Sequence, residues 1–408
     1  MENKFDILII GGGLIGKTAA IVLSELPNVA IALVDKRDIF NIDKASRDGR
    51  AMALSAASLN LFENLNISLS KQTQIMRDML ITDGGVGEDP SWRLHFDNEG
   101  AEVGAPHMIE NEHLNKSLMS ALKQRSNITI FSESLVKGLE HTIEGVCAEI
   151  GGKVLKADLL VAADGANSFI RTQAGLVLDG RDYDQHALVT TIRHSLSHDG
   201  LALQRFLPGG PLAVLPLPDS RSQIVWSDKP TAIEAALELS EDDFITELSH
   251  RIGGHLGDVS LAAPRQSYPL RLQLAQNYVG NRLVLIGDAA HVIHPLAGQG
   301  LNLGLRDIAA LYDVLLEARK TGRDIGGAVL GEYQAWRKSD VTGLAGITDM
   351  LSYIYSSPRG FLRRPLSKAL GHIRRLGLSF VNDTDVLKKL FIIESTGVTG
   401  NCPHLLKD

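Results

Sequence analysis

The sequence predicts an α/β protein (α+β overall): a discontinuous nucleotide-binding domain, an inserted antiparallel sheet and a helical C-terminal region. Three observations predict it. Glycine-containing turns follow apolar runs at three distant places, Phe5–Gly16, Lys156–Gly165 and Leu283–Asp288. Between the second and third, the pattern changes to short Val-, Ile-, Leu- and Thr-rich runs punctuated by Pro and Gly. From Gln299 onward, Leu301, Leu305, Ile308, Leu311, Tyr312, Leu315 and Leu316 recur at helical spacing.

The first element reads FDILIIGGGLIG, an apolar strand followed by Gly11-x-Gly13-x-x-Gly16. A helical pattern through Ala19, Ala20, Leu23 and Leu26 comes next, and a second strand, AIALVDK, carries Asp35 at its end. Strand, glycine turn, helix, strand and acid in this order make a Rossmann-like dinucleotide site. Gly11 permits the tight turn, Gly13 lets a pyrophosphate approach the backbone, and Gly16 allows helix and strand to pack closely. Asp35 is placed to accept from a ribose.

KADLLVAADGANSFIR (Lys156 to Arg171) is the second element: a buried strand, the Asp164–Gly165 turn and a helix start. In the third, the strand Leu283 to Ile286 ends in Gly287–Asp288, and a loop with His291, His294 and Pro295 leads to Gly298-Gln299-Gly300. That turn opens a helix, whose unpaired N–H groups and positive dipole end suit an anion or an electron-rich ring edge. Asp288 just before it suits a polyol hydroxyl. A flavin with its ribityl chain satisfies both.

These motifs, in this order, resemble those of the flavoprotein aromatic hydroxylases, the single-component FAD monooxygenases. The run HPLAGQGLNLGLRD (His294 to Asp307) is similar to that of the ubiquinone-biosynthesis branch, which acts on polyprenylated phenols or benzoquinols. DGRAMALSAAS (Asp48 to Ser58) resembles the branch's arginine loop, with Arg50 reaching the cofactor, and RQSYPLRLQLA resembles the segment leading into the third motif. The resemblance implies FAD as cofactor, NAD(P)H as electron donor and dioxygen as co-substrate. It implies ring hydroxylation through a flavin C4a-hydroperoxide, with Pro295 against the flavin face and Asp164 and Gly165 supporting the pyrophosphate. Two alternatives stay open: a lipid or quinone oxidoreductase without oxygen insertion, and a non-catalytic flavin-binding subunit of a biosynthetic complex.

Some roles divide between two readings. The imidazoles of His291 and His294 suit a proton shuttle, or they are structural and bonded to backbone. Asn302 either bonds at the helix start or touches the flavin. Asp307 tethers its helix to a neighbouring loop or contacts the cofactor directly. Tyr268 and Arg265 belong to sheet packing or to the substrate crevice.

The scattered motifs assign 1–75, 100–175 and 275–335 to the FAD-binding domain. The inserted sheet takes 176–272 with strands from 76–99, and 336–408 forms the helical end. A helical pair, Thr231 to Leu239 and Glu241 to Ile252, interrupts the sheet.

Composition narrows the class further. With 408 residues, 44% of them apolar, and a formal charge of −7, the chain is an ordinary globular protein that does not invite nucleic acid. Two distant cysteines, Cys147 and Cys402, match no metal spacing and no disulfide framework. The apolar N-terminal run is too short for a signal peptide, and the long window Leu283 to Leu305 contains Asp288, His291, His294 and Gln299. A cytoplasmic location follows, with peripheral contact to the inner membrane left open. The basic amphipathic segment Phe361 to Phe380 is the candidate for that contact, or it covers the nucleotide domain with its charges solvated.

Overall fold

Apolar strands that end in glycine turns assemble the first sheet. The computed structural model describes residues 4–40, 49–69, 72–87, 92–97, 104–294, 299–355 and 401–407. In an eight-stranded sheet, Leu283–Leu285, Lys153–Ala162, Lys4–Ile10, Ile31–Val34 and Ile128–Phe131 lie side by side and parallel. Strands buried on both faces read as continuous apolar runs, and Ile7, Leu8 and Ile9 are fully buried. All three motif turns therefore emerge at one edge of one sheet, although residues from 5 to 288 supply them. The helices Leu14–Leu23 and Gln299–Lys320 pack together beside it.

The second sheet has nine strands, built around Leu178–His194, Arg221–Asp228, Gly210–Leu217, Leu201–Leu207 and Gln266–Ala275. Asp78–Asp83 and Trp92–Asp97 extend it, as the sequence predicts for 76–99. Side chains alternate across it. Leu188, Leu212, Val214, Ile224 and Trp226 face the helices Pro230–Glu238 and Glu241–Ile252 in a core of their own. The second of these helices has a capped start, with Ser240 Oγ accepting from Asp243 N at 3.1 Å, acids in its first turn and Arg251 in its last. Ala187, Val189, Ala213, Leu215 and Val225 take the opposite face.

One feature is absent from the sequence reading. Ala51–Leu54, Thr73–Ile75 and His107–Glu110 form a small third sheet whose strands all come from the segments 1–75 and 100–175 expected for the FAD-binding domain. Glu110 anchors it to the large sheet through a bidentate pair with Arg221 at 2.8 and 3.0 Å. The helix Leu330–Tyr355 crosses the expected boundary at 335/336. No described helix is long and apolar enough to cross a membrane. The segment 361–380 lies outside the described residues.

Candidate active site

The first glycine turn is fixed by backbone contacts that leave no room for a side chain. Gly11 has φ +112°, and a Cβ there would lie 2.2 Å from the Ala163 carbonyl oxygen. At Gly16 a Cβ would lie 1.7 Å from the Gly11 carbonyl oxygen. Neither neighbour is a movable side chain, so we expect Gly16→Ala to purify with little or no flavin, read as flavin absorbance per protein. Normal flavin content in a folded variant would contradict this role. Gly13 is different: a Cβ there meets nothing within 4 Å, so its face is open. Asp35 is held by the N–H groups of Gly12 and Arg37, the latter at 2.7 Å.

The second and third motifs meet through a residue the sequence reading left without a role. Arg171 is buried and donates to the carbonyl of Ala289 at 2.8 Å and to that of Ala166 at 2.9 Å. It stitches the Asp164–Gly165 turn to the Gly287–Asp288 turn. Burial pushes its guanidinium down, and the nearby Asp164 carboxylate works against that shift. One oxygen of Asp164 accepts from Ile170 N at 3.1 Å; the other is buried with no hydrogen-bond partner among the described residues.

Asp288 is exposed and lines the cavity between the sheets. The surrounding protein pushes its carboxyl above the ordinary value, with His291 pulling the other way. Behind it lies a buried ionic cluster. Asp307, with no exposed surface, accepts from Gly287 N at 2.9 Å, His291 Nε2 at 2.7 Å and Arg337 Nε at 2.7 Å. Burial alone would raise the Asp307 carboxyl; His291 and Arg337 more than reverse that and hold it below the usual range. Arg337 also donates to Asp340 at 2.6 Å, and Tyr333, one turn earlier on the same helix, donates to the Leu285 carbonyl at 2.9 Å. The helix Leu330–Tyr355 thus clamps the third motif from below.

Two assignments change as a result. His291 is buried against Asp307 and does not line the cavity, so it serves as a strut for the motif and has no geometry for a proton shuttle. Asn302 is also committed to the chain itself. Its Oδ1 accepts from Ser55 N at 3.0 Å and Ser58 Oγ at 2.7 Å, and its Nδ2 donates to the Ala53 carbonyl at 2.9 Å. It ties the start of one helix to another rather than offering its amide to a flavin. Pro295 and Gly298 lie outside the described residues. Gln299 begins its helix, half-buried, and Gly300 is open to the cavity, with no acid in the first turn to oppose an anion.

The remaining candidates converge. Gly13, Asp35, Arg50, Gly165, Asp288 and Gly300 line one cavity of about 680 Å³, whose floor is the free face of the large sheet. Arg50 stacks 5.3 Å from the Tyr268 ring centre, and both line the cavity. His294 faces it too, edge-on to Tyr183 at 4.9 Å. Arg265 does not: it donates to the carbonyls of Ala236 and Leu239 and packs on Phe244. An open glycine turn, an acid at each end and a positive helix start with no acid in its first turn fit a dinucleotide bearing a ring and a polyol. The residues present suit FAD.

Comparison with known proteins agrees. A family profile described as an FAD binding domain matches residues 4–343. The chain is 37% identical to ubiquinone hydroxylase UbiL of Rhodospirillum rubrum over 97% of its own length and 90% of that protein's. It is 32% identical to the 3-demethoxyubiquinol 3-hydroxylase of Escherichia coli, covering 94% of this chain and 96% of that one. In fold it is similar to the p-nitrophenol 4-monooxygenase PnpA of Pseudomonas putida, with a TM-score of 0.77 at 18% identity, covering 98% and 100% of the two chains.

Proposed function

The chain belongs to the FAD-binding-domain family together with the ubiquinone hydroxylases, and from that premise we propose that it hydroxylates the aromatic ring of a polyprenylated phenol or benzoquinol on the route to ubiquinone. One observation carries the reading: nucleotide-binding turns and an apolar sheet face bound the same cavity. When bound, FAD supplies the redox chemistry, taking electrons from NAD(P)H and activating dioxygen for insertion into the ring.

The protein's tasks are to bind, orient and exclude water. Asp35 keeps lone-pair capacity beyond its two backbone donors and accepts from the adenosine ribose. Asp288 takes the ribityl hydroxyls. The helix start at Gln299 and Gly300 stabilises negative charge on the ring by about 0.3–1 kcal/mol. Met76, Met79, Leu215, Val225, Leu270 and Ile293 supply an apolar wall that keeps water from the reacting ring. No protein nucleophile or metal is required by this chemistry.

The test supplies the FAD-loaded protein with NAD(P)H, air and a prenylphenol, and weighs the product. A product one oxygen heavier than the substrate is expected. Nicotinamide oxidation with a product of unchanged oxygen count, across phenols and quinols, would point instead to an oxidoreductase. No turnover with any of them would point to a silent flavin-binding subunit.

A further inference from the structure

The cavity floor is mostly apolar, showing Met79, Ala213, Leu215 and Val225, but two glutamines interrupt it. Their situations differ. Gln223 is spent on the chain: with its amide turned to suit its neighbours, it accepts from Ala51 N at 2.7 Å and donates to the Ala51 carbonyl at 2.9 Å. Gln204 is half-buried and lines the cavity, and its side-chain amide has no hydrogen-bond partner among the described residues. The other polar groups on this face are less available. Ser227 is only 2% exposed, and the Tyr268 hydroxyl donates to Gln266.

A half-buried amide facing apolar walls is costly unless something polar meets it. Its surroundings say what that partner is. Gln204 lies between Ala213 and Ile81, Ala213 opposite Val225, and Val225 opposite Val189, so the amide interrupts a row of apolar side chains across the sheet. Ala213 leaves room beside it for a flat ring, and no charged side chain stands in the row.

We propose that Gln204 is a specificity-determining residue that hydrogen-bonds a ring oxygen of the aromatic substrate. This rests on the hydroxylase reading and deepens it by naming what the site reads. An amide suits the task because it both donates and accepts. Its Oε1 accepts a hydrogen bond from a phenol or quinol hydroxyl, and its Nε2 donates to a methoxy or quinone oxygen. One residue thereby fixes the ring's rotation on the floor, which decides the carbon presented for attack.

The test titrates the FAD-loaded protein, through its flavin spectrum, with a short-chain 2-prenylphenol and with the matching prenylbenzene. The wild type binds the phenol about tenfold more tightly, the range of one neutral hydrogen bond. Gln204→Met, which keeps length and volume, abolishes that preference by weakening the phenol alone, with FAD content and melting temperature unchanged. A merely structural role would weaken both ligands alike. Gln204→Leu serves as the second variant should the methionine protein lose its flavin. The inference is overturned when the wild type shows no preference, or when the variants keep it. A Gln204-dependent preference for the phenol in a protein that never adds oxygen to it would sink the hydroxylase reading while leaving this recognition intact.

Discussion

Replacing Arg337 with methionine is expected to destabilise the nucleotide domain by about 3–5 kcal/mol, the cost of stranding one partner of a buried ion pair. Asp307 has no exposed surface and would keep only His291 and the Gly287 N–H as partners. The damage should be largest where the third motif is shaped, since Gly287 and His291 both hang on that carboxylate. Thermal melting with and without added FAD measures it. A midpoint within a degree of wild type would show that the cluster does not bear on stability. The same cluster sets an acid limit. The Asp307 carboxyl is held below its unfolded value of about 3.9. Its contribution is therefore complete above that value and is lost as pH falls through the lower folded-state value. Acid unfolding should move to higher pH in Arg337→Met, because the guanidinium that depresses the carboxyl is gone.

Asp288→Asn should move binding and stability in opposite directions. The Asp288 carboxyl is pushed up by its surroundings, so the folded apoprotein has its full stability below the unfolded value and loses some as pH rises through the folded-state value. An amide removes that loss, and the apoprotein's melting temperature should become flatter with pH and higher at neutrality. Flavin binding should weaken about 10- to 100-fold, because hydrogen bonds to a charged acceptor are worth about 1.5–3 kcal/mol each. Titration followed by flavin fluorescence reads the second effect. Unchanged affinity would remove Asp288 from the ribityl site.

What the sequence disclosed follows from what is local. A strand, a glycine turn and the next helix lie within a few residues of one another, so Gly11, Gly16 and the Asp164–Gly165 and Gly287–Asp288 turns are visible without a fold. Arg337 is not, because its partner Asp307 lies 30 residues earlier on another helix. Arg171 reaches the Ala289 carbonyl, 118 residues away, in the same way. His291 and His294 share one short loop, yet one turns inward to Asp307 and the other toward the cavity; spacing carries no information about that choice. Along Leu212, Ala213, Val214 and Leu215 every residue is apolar, so alternation cannot tell the helix-facing side from the cavity side. Only the interruptions, Gln204 and Gln223, mark the cavity side. The small third sheet escaped because its strands are three or four residues long, too short for a periodic pattern.

The most direct test follows the oxygen atom. The FAD-loaded protein would be given NAD(P)H, isotopically labelled dioxygen and a prenylphenol, and the product ring examined by mass spectrometry. A new ring hydroxyl carrying the dioxygen label is the expected result. Label recovered only as hydrogen peroxide, with the ring unchanged, would contradict ring hydroxylation and leave a flavin oxidoreductase in its place.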